Sequence, residues 1–155
     1  MTSFSTVIQA FLGKITDDMY LEITKEDTES AAQDFIAGAL PFFEFPRVDI
    51  YDYDMENSTF NIDLSNEEVN IIATYMVVEW IGQQLASIEL TRMKYTGTDF
   101  KMTSQANHMN KLLSLKNDYI KDGFHLQRVY KRKRKEDGTL APTISDLRLG
   151  RRVPS

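Results

Sequence analysis

The stretch from Ser65 to about Met93 restricts the fold more than any other part of the chain. Val69, Ile72, Ala73, Met76, Val77, Trp80, Ile81, Leu85 and Ile88 recur at steps of three and four, the spacing that lines one face of a helix. Ile71, Tyr75 and Val78 fall off that stripe, so the turns from Ile71 to Ile81 keep only Thr74 and Glu79 as polar residues. A helix that is apolar most of the way round has to be covered on several sides. The pattern therefore predicts the central helix of a bundle. Ser65 followed by Glu68 predicts a capping box at its start, in which each side chain satisfies the other residue's open amide. Thr, Glu and Gln interrupt the run too often for a membrane span, because they would be desolvated at the bilayer centre.

The other elements are expected to wrap this helix. Phe4, Val7, Ile8, Phe11, Leu12 and Ile15 predict an amphipathic helix within Thr2 to Ile15. Met19, Tyr20, Leu21 and Ile23 form a short apolar link. Thr24 and Asp27 predict the cap of a second helix with an acidic first turn and with Ala31, Phe35, Ala39 and Phe42 facing inward. Pro41 should kink or end it. From Arg47 to Leu64 the period changes: Val48, Ile50, Phe60, Ile62 and Leu64 alternate about the polar turn Met55 to Ser58. This predicts a β-hairpin or a paired extended loop, which must lie on the helices or add to a neighbouring chain, because an isolated two-stranded hairpin is marginal in water.

Tyr95 to Ser104, with Gly97 and several Thr, reads as a turn, and a last helix should begin near Gln105 and persist to about Lys131. Its apolar side is supplied by Ala106, Met109, Leu112, Leu113, Tyr119, Ile120, Phe124 and Val129, with Gly123 as a local weak point. Beyond Arg134, Asp137-Gly138, Pro142 and Pro154 stop regular structure. The expected fold is mainly α: a small helical bundle around a long central helix, with a β-hairpin or extended loop insertion at about 47–64 and an extended C-terminal arm. The bundle domain is assigned to residues 1–127 and the arm to 128–155.

With 155 residues and no cysteine, the chain is long enough to bury a core and has no thiolate or disulfide chemistry. No basic start followed by an apolar run precedes Phe4, so no signal peptide is read and a soluble protein inside the cell is expected. The net charge of −5 conceals a division. From Arg128 onward there are 9 basic and 3 acidic residues, a net of +6, which leaves −11 on the remainder. An acidic body carries a basic arm, and that arm should meet an acidic surface.

Catalytic chemistry is not signalled. The two histidines, His108 and His125, lie 17 residues apart without carboxylates or thiols in register. Asp52, Asp54, Glu56 and Asp63 fall on a calcium-loop template, but Asn57 stands where that loop needs glycine, so an acidic turn is the better reading. No phosphate-binding glycine loop or nucleophile elbow occurs. The chain is expected not to be an enzyme and to need no metal or cofactor.

The run Arg128, Lys131, Arg132, Lys133, Arg134, Lys135 has three readings. It holds nucleic-acid phosphates, docks on an acidic protein surface, or is a solvated helix end whose cations suit the helix dipole. Protein docking is favoured, because Arg148, Arg151 and Arg152 extend the positive charge through a segment that also offers Leu140, Ile144, Leu147 and Leu149 as apolar anchors. These thirteen residues form the candidate partner-binding set.

Met76-Val77-Val78-Glu79-Trp80-Ile81 with Leu85, then Asp99-Phe100-Lys101-Met102-Thr103-Ser104 and Ala106-Asn107, and finally the basic arm, give the chain a resemblance to the head-to-tail connector, or neck adaptor, proteins of tailed bacteriophages. The resemblance runs from about Asn61 to Lys135. It implies a virion protein, made in the host cytoplasm, that assembles as a homo-oligomeric, twelvefold ring beneath the portal protein. The C-terminal segment would reach the portal, tail or stopper proteins would sit at the other end, and DNA would pass through the lumen without sequence recognition. No membrane is involved. The alternative is a nucleic-acid-binding regulatory or packaging protein acting through the basic C-terminal segment. On the neck-adaptor reading, deletion of everything after Gly123 should leave the bundle folded and remove attachment to the portal.

Overall fold

The computed structural model describes residues 1–20, 23–94 and 99–132, the side chains of 91–94 and 99–105 excepted. Among the described residues four helices, α1 (Phe4–Leu12), α2 (Lys25–Ala39), α3 (Asn66–Lys94) and α4 (Asp99–Arg132), accompany three short strands, β1 (Thr2–Ser3), β2 (Tyr53–Asp54) and β3 (Thr59–Phe60). The fold is mainly helical, and α1, α2 and α4 all pack on α3. Each residue from Ile71 to Val78 is buried. That run includes Thr74, whose hydroxyl is satisfied by donating to the Asn70 carbonyl one turn back at 2.7 Å. Further along α3, Trp80 is fully buried and its indole N–H donates to the Thr28 hydroxyl of α2 at 2.9 Å. Buried Gln84 donates to the Met19 carbonyl at 3.2 Å. The polar groups that enter this core are thus paired, as burial requires.

The local start signals operate as the sequence predicts. The Ser65 amide donates to the Glu68 carboxylate at 2.8 Å and the Glu68 amide donates back to the Ser65 hydroxyl at 3.2 Å. At the head of α2, the Asp27 amide donates to the Thr24 hydroxyl at 3.1 Å, with Glu26 and Asp27 in the first turn. Leu40–Phe42 forms a tight turn containing Pro41, which ends the helix as expected.

Four details depart from the expectation. Thr2 and Ser3 belong to β1, not to a helix; they pair antiparallel with Phe60 and Thr59 and make the hairpin a three-stranded sheet in the order β1-β3-β2. The hairpin's missing partner is therefore the chain's own N-terminus, and Phe4 closes the join with ring contacts to Phe60 at 5.0 Å and Tyr53 at 6.0 Å. Val48 and Ile50 lie before the strands, because Asp49 turns the backbone there: its carbonyl accepts from the Asp52 amide at 3.0 Å and its carboxylate from the Tyr51 amide at 3.2 Å. Phe42 is not inward; it is 44% exposed and stacks flat on Tyr75 at 5.3 Å.

The last departure concerns α4. It begins at Asp99, so residues 99–104 are helical where a turn was expected; a helix of 34 residues overrides the low propensity of Thr103 and Ser104. The turn about Gly97 lies outside the described residues. Leu113, Phe124 and Val129, assigned to the apolar side, are 43%, 52% and 55% exposed. The inward line is Leu112, Tyr119, Gly123, Leu126 and Tyr130. Gly123 sets that rotation: a Cβ there would lie 2.6 Å from Cζ of Tyr75, so only glycine lets α4 approach α3 at this point.

Candidate partner-binding site at the root of the basic arm

The last turns of α4 are fastened by the segment that leaves α2. Tyr130, 2% exposed, is the hub: its hydroxyl donates to Glu68 at 2.9 Å and accepts from the Arg47 amide at 2.8 Å. The Arg47 guanidinium lies 3.9 Å over the Tyr130 ring and donates to the Tyr130 carbonyl, while Phe43 meets the ring edge-on at 5.3 Å. That carbonyl belongs to the final turn, where a helix leaves its acceptors open, so Arg47 acts as a cap from outside. Burial, helped by the nearby Glu68 carboxylate, pushes the Tyr130 hydroxyl far above the usual tyrosine range despite the opposing Arg47 contact.

One turn earlier, Gln127 makes a second fastening. Its amide N–H group donates to the Phe42 carbonyl at 2.9 Å and to the Tyr75 hydroxyl at 2.7 Å, and its carbonyl accepts from the Glu44 amide at 2.9 Å. Burial raises the Tyr75 hydroxyl as well. Lys131 rests 4.1 Å over the Phe45 ring. The segment from Phe42 to Arg47 thus grips α4 from its side while Glu68, the capping residue of α3, grips it from beneath. The end of α4 is positioned rigidly relative to the central helix.

Arg128, Lys131 and Arg132 project from this end, all exposed and without an ion pair among the described residues. The helix continues through Arg132, so the first five residues assigned to the arm are helical and Tyr130 belongs to the core. Lys133, Arg134, Lys135, Leu140, Ile144, Leu147, Arg148, Leu149, Arg151 and Arg152 lie outside the described residues. Arg47, Gln127 and Tyr130 were missed as parts of the site. The one available signal was a tyrosine and a glutamine on the inward line of a helix that ends in cations.

The acidic hairpin is self-satisfied at its turn. Asp54 accepts from the Glu56 and Asn57 amides at 2.9 and 3.1 Å and from the Asn57 side chain at 2.6 Å, and the Asn57 contact first of all holds its carboxyl below the usual range. Among the described residues no group of three or more His, Cys, Asp or Glu is placed to hold a metal ion. On the other flank of α4, a polar cavity of about 230 Å³ is lined by Lys14, Asn70, Thr74, Tyr119, Asp122, His125 and Leu126. Burial lowers the Lys14 ammonium, against the pull of Asp122. Among the described residues no helix is long and apolar enough to cross a membrane. No protein family, curated relative or solved structure matches the chain.

Proposed function

We propose that the protein is a structural adaptor of a tailed-phage neck, forming a ring that joins the capsid portal to tail or stopper proteins and lets DNA pass. The observation that carries this reading is the rooted, cationic end of α4. Arg128, Lys131 and Arg132 are exposed and without an ion pair among the described residues, while the turn that bears them is held by Arg47, Gln127 and Glu68. A rigid root aims the basic segment that follows it, so less orientational freedom is lost on docking. An acidic surface on the portal supplies the complement. The resemblance of the chain from about Asn61 to Lys135 to neck adaptors supports the same reading.

Electron microscopy of particles from a phage lacking the protein tests it: portal-bearing heads without tails are expected, and intact tailed necks overturn it. The arm is tested by truncation. Removing everything after Gly123 takes away Gln127 and the buried Tyr130, so the informative cut is after Arg132. That variant is expected to fold and to lose portal attachment. The other reading, duplex binding through the same cations, predicts affinity that falls steeply with salt. The net negative charge of the rest of the chain opposes it.

A further inference from the structure

The outer flank of α4 and the hairpin carry complementary surfaces that the single chain leaves open. Between α3 and α4 runs a groove of about 400 Å³, lined by Val78, Gly82, Ala86, Lys116 and Ile120 together with Phe42. Phe124, 52% exposed, lies one helical turn beyond Ile120, and Arg128 one turn beyond that. Glu79, the one acid on the lining, leans against Gly38 of α2, where a Cβ would stand 2.8 Å from its carboxylate. From Ala106 to Arg132, α4 carries six basic and two acidic residues.

The hairpin has the opposite character. Tyr51 and Met55 are 54% and 43% exposed, and residues 47–64 hold five acids against Arg47 alone. Its tip is held to α2, where Gln33 donates to the Met55 carbonyl at 3.3 Å and to the Ser58 hydroxyl at 2.6 Å. Among the described residues no hydrogen bond or ion pair joins residues 51–57 to α4. Each surface combines exposed large apolar side chains with an excess of charge of one sign, and the two signs differ.

We infer that copies of this chain associate head-to-tail, the hairpin of one seating Tyr51 and Met55 in the α3–α4 groove of the next, with Asp52 and Glu56 against Lys116 and Arg128. Such a contact is heterologous: the same two patches recur from copy to copy, and the series closes into a ring if the rotation allows. It deepens the ring reading and rests on that reading for closure, but contact between copies is measurable without any portal. A contact confined to one hairpin tip and one groove is weak singly and gains from assembly in a closed series.

The absence of native cysteine makes the test clean. A chain carrying Met55→Cys and Phe124→Cys is oxidised at high concentration; a ladder of covalent multimers is expected, and neither single variant should give more than trace dimer. No ladder, or a Met55→Cys dimer as abundant as the ladder, overturns the proposal. Charge swapping gives a second readout. Asp52→Lys/Glu56→Lys and Lys116→Glu/Arg128→Glu chains are each expected to self-associate about tenfold more weakly than the native chain, and a mixture of the two to recover alternating association by native mass spectrometry. No recovery from two chains that fold by circular dichroism overturns the proposal. Hydrogen exchange on the native chain covers the case of a misfolded variant: protection of residues 51–57 must rise with concentration, and a flat response overturns it. Portal attachment of a chain carrying Lys116→Glu alone, a residue outside the basic arm, is assayed separately: self-association lost with attachment kept locates the effect in this contact, and attachment lost with self-association kept bears on the neck reading.

Discussion

Helices α3 and α4 are the two longest elements and touch along their length, yet they are held by different physics. α3 is surrounded: its middle turns are buried on every side and its position is fixed by apolar area. α4 is fastened at points, by the close approach at Gly123, the Gln127 bridge and the Tyr130 hub, and elsewhere shows Leu113, Phe124 and Val129 to solvent. The first arrangement gives stability that many substitutions erode gradually. The second gives direction, and single atoms decide it.

The largest effect should come from the surrounded helix. Trp80→Ala removes a fully buried indole and leaves the Thr28 hydroxyl with only its bond to the Thr24 carbonyl; a loss of about 3–5 kcal/mol is expected by urea denaturation followed by circular dichroism. A loss below about 1 kcal/mol would mean that α3 is not the centre of the core.

Gly123→Ala sets two effects against each other. Helix propensity alone favours alanine by about 1 kcal/mol. The added Cβ would meet the Tyr75 ring at 2.6 Å, and because Tyr75 is pinned between Phe42 and Gln127 it cannot swing aside freely. A net destabilisation of about 1–3 kcal/mol is expected. A stabilised variant would show that this contact does not set the rotation of α4.

Tyr130→Phe removes one oxygen and leaves the Glu68 carboxylate and the Arg47 amide each short of a partner, for about 1–3 kcal/mol. Its pH signature separates it from simple packing loss. Tyr130 in the folded chain holds its proton more tightly than an unfolded tyrosine, whose value is about 10. The stabilisation is complete below that value and declines as alkaline pH rises through and beyond it, since only the unfolded chain then releases the proton. The native chain should lose stability above about pH 10 more steeply than Tyr130→Phe, by thermal melts across the alkaline range. Parallel profiles would remove Tyr130 from the buried network.

The same contrast explains what the sequence disclosed. Periodicity located α3, because an apolar surround is a property of the helix's own residues, and the Ser65–Glu68 and Thr24–Asp27 caps were legible because each closes within one turn. β1 was hidden, since pairing of Thr2 with Phe60 depends on a partner fifty-eight residues away and leaves no mark on two residues. The rotation of α4 was misread for a related reason: Leu113, Phe124 and Val129 are as hydrophobic as Leu112 and Leu126, and only a long-range constraint, the Tyr75 ring over Gly123, tells the two sets apart. Arg47 marked only the start of the segment where the period changes, and its contact with Tyr130, eighty-three residues away, leaves no local sign. Of the arm residues, the charge pattern named Arg128, Lys131 and Arg132 and the structure places them exposed on one rooted end.

The smallest effect on stability should be the most informative about function. Arg128→Gln removes a charge from an exposed side chain that makes no hydrogen bond or ion pair among the described residues, so folding stability should change by no more than about 0.5 kcal/mol. If the rooted end docks on an acidic portal surface, the same change should weaken portal attachment several-fold and flatten its dependence on salt, measured by co-sedimentation over a range of ionic strength. The pairing of an unchanged melt with weakened attachment is what separates a directing surface from a supporting one. Attachment that is as strong and as salt-sensitive as in the native chain would remove Arg128 from the portal surface and leave it to the contact between copies or to a solvated helix end that suits the dipole.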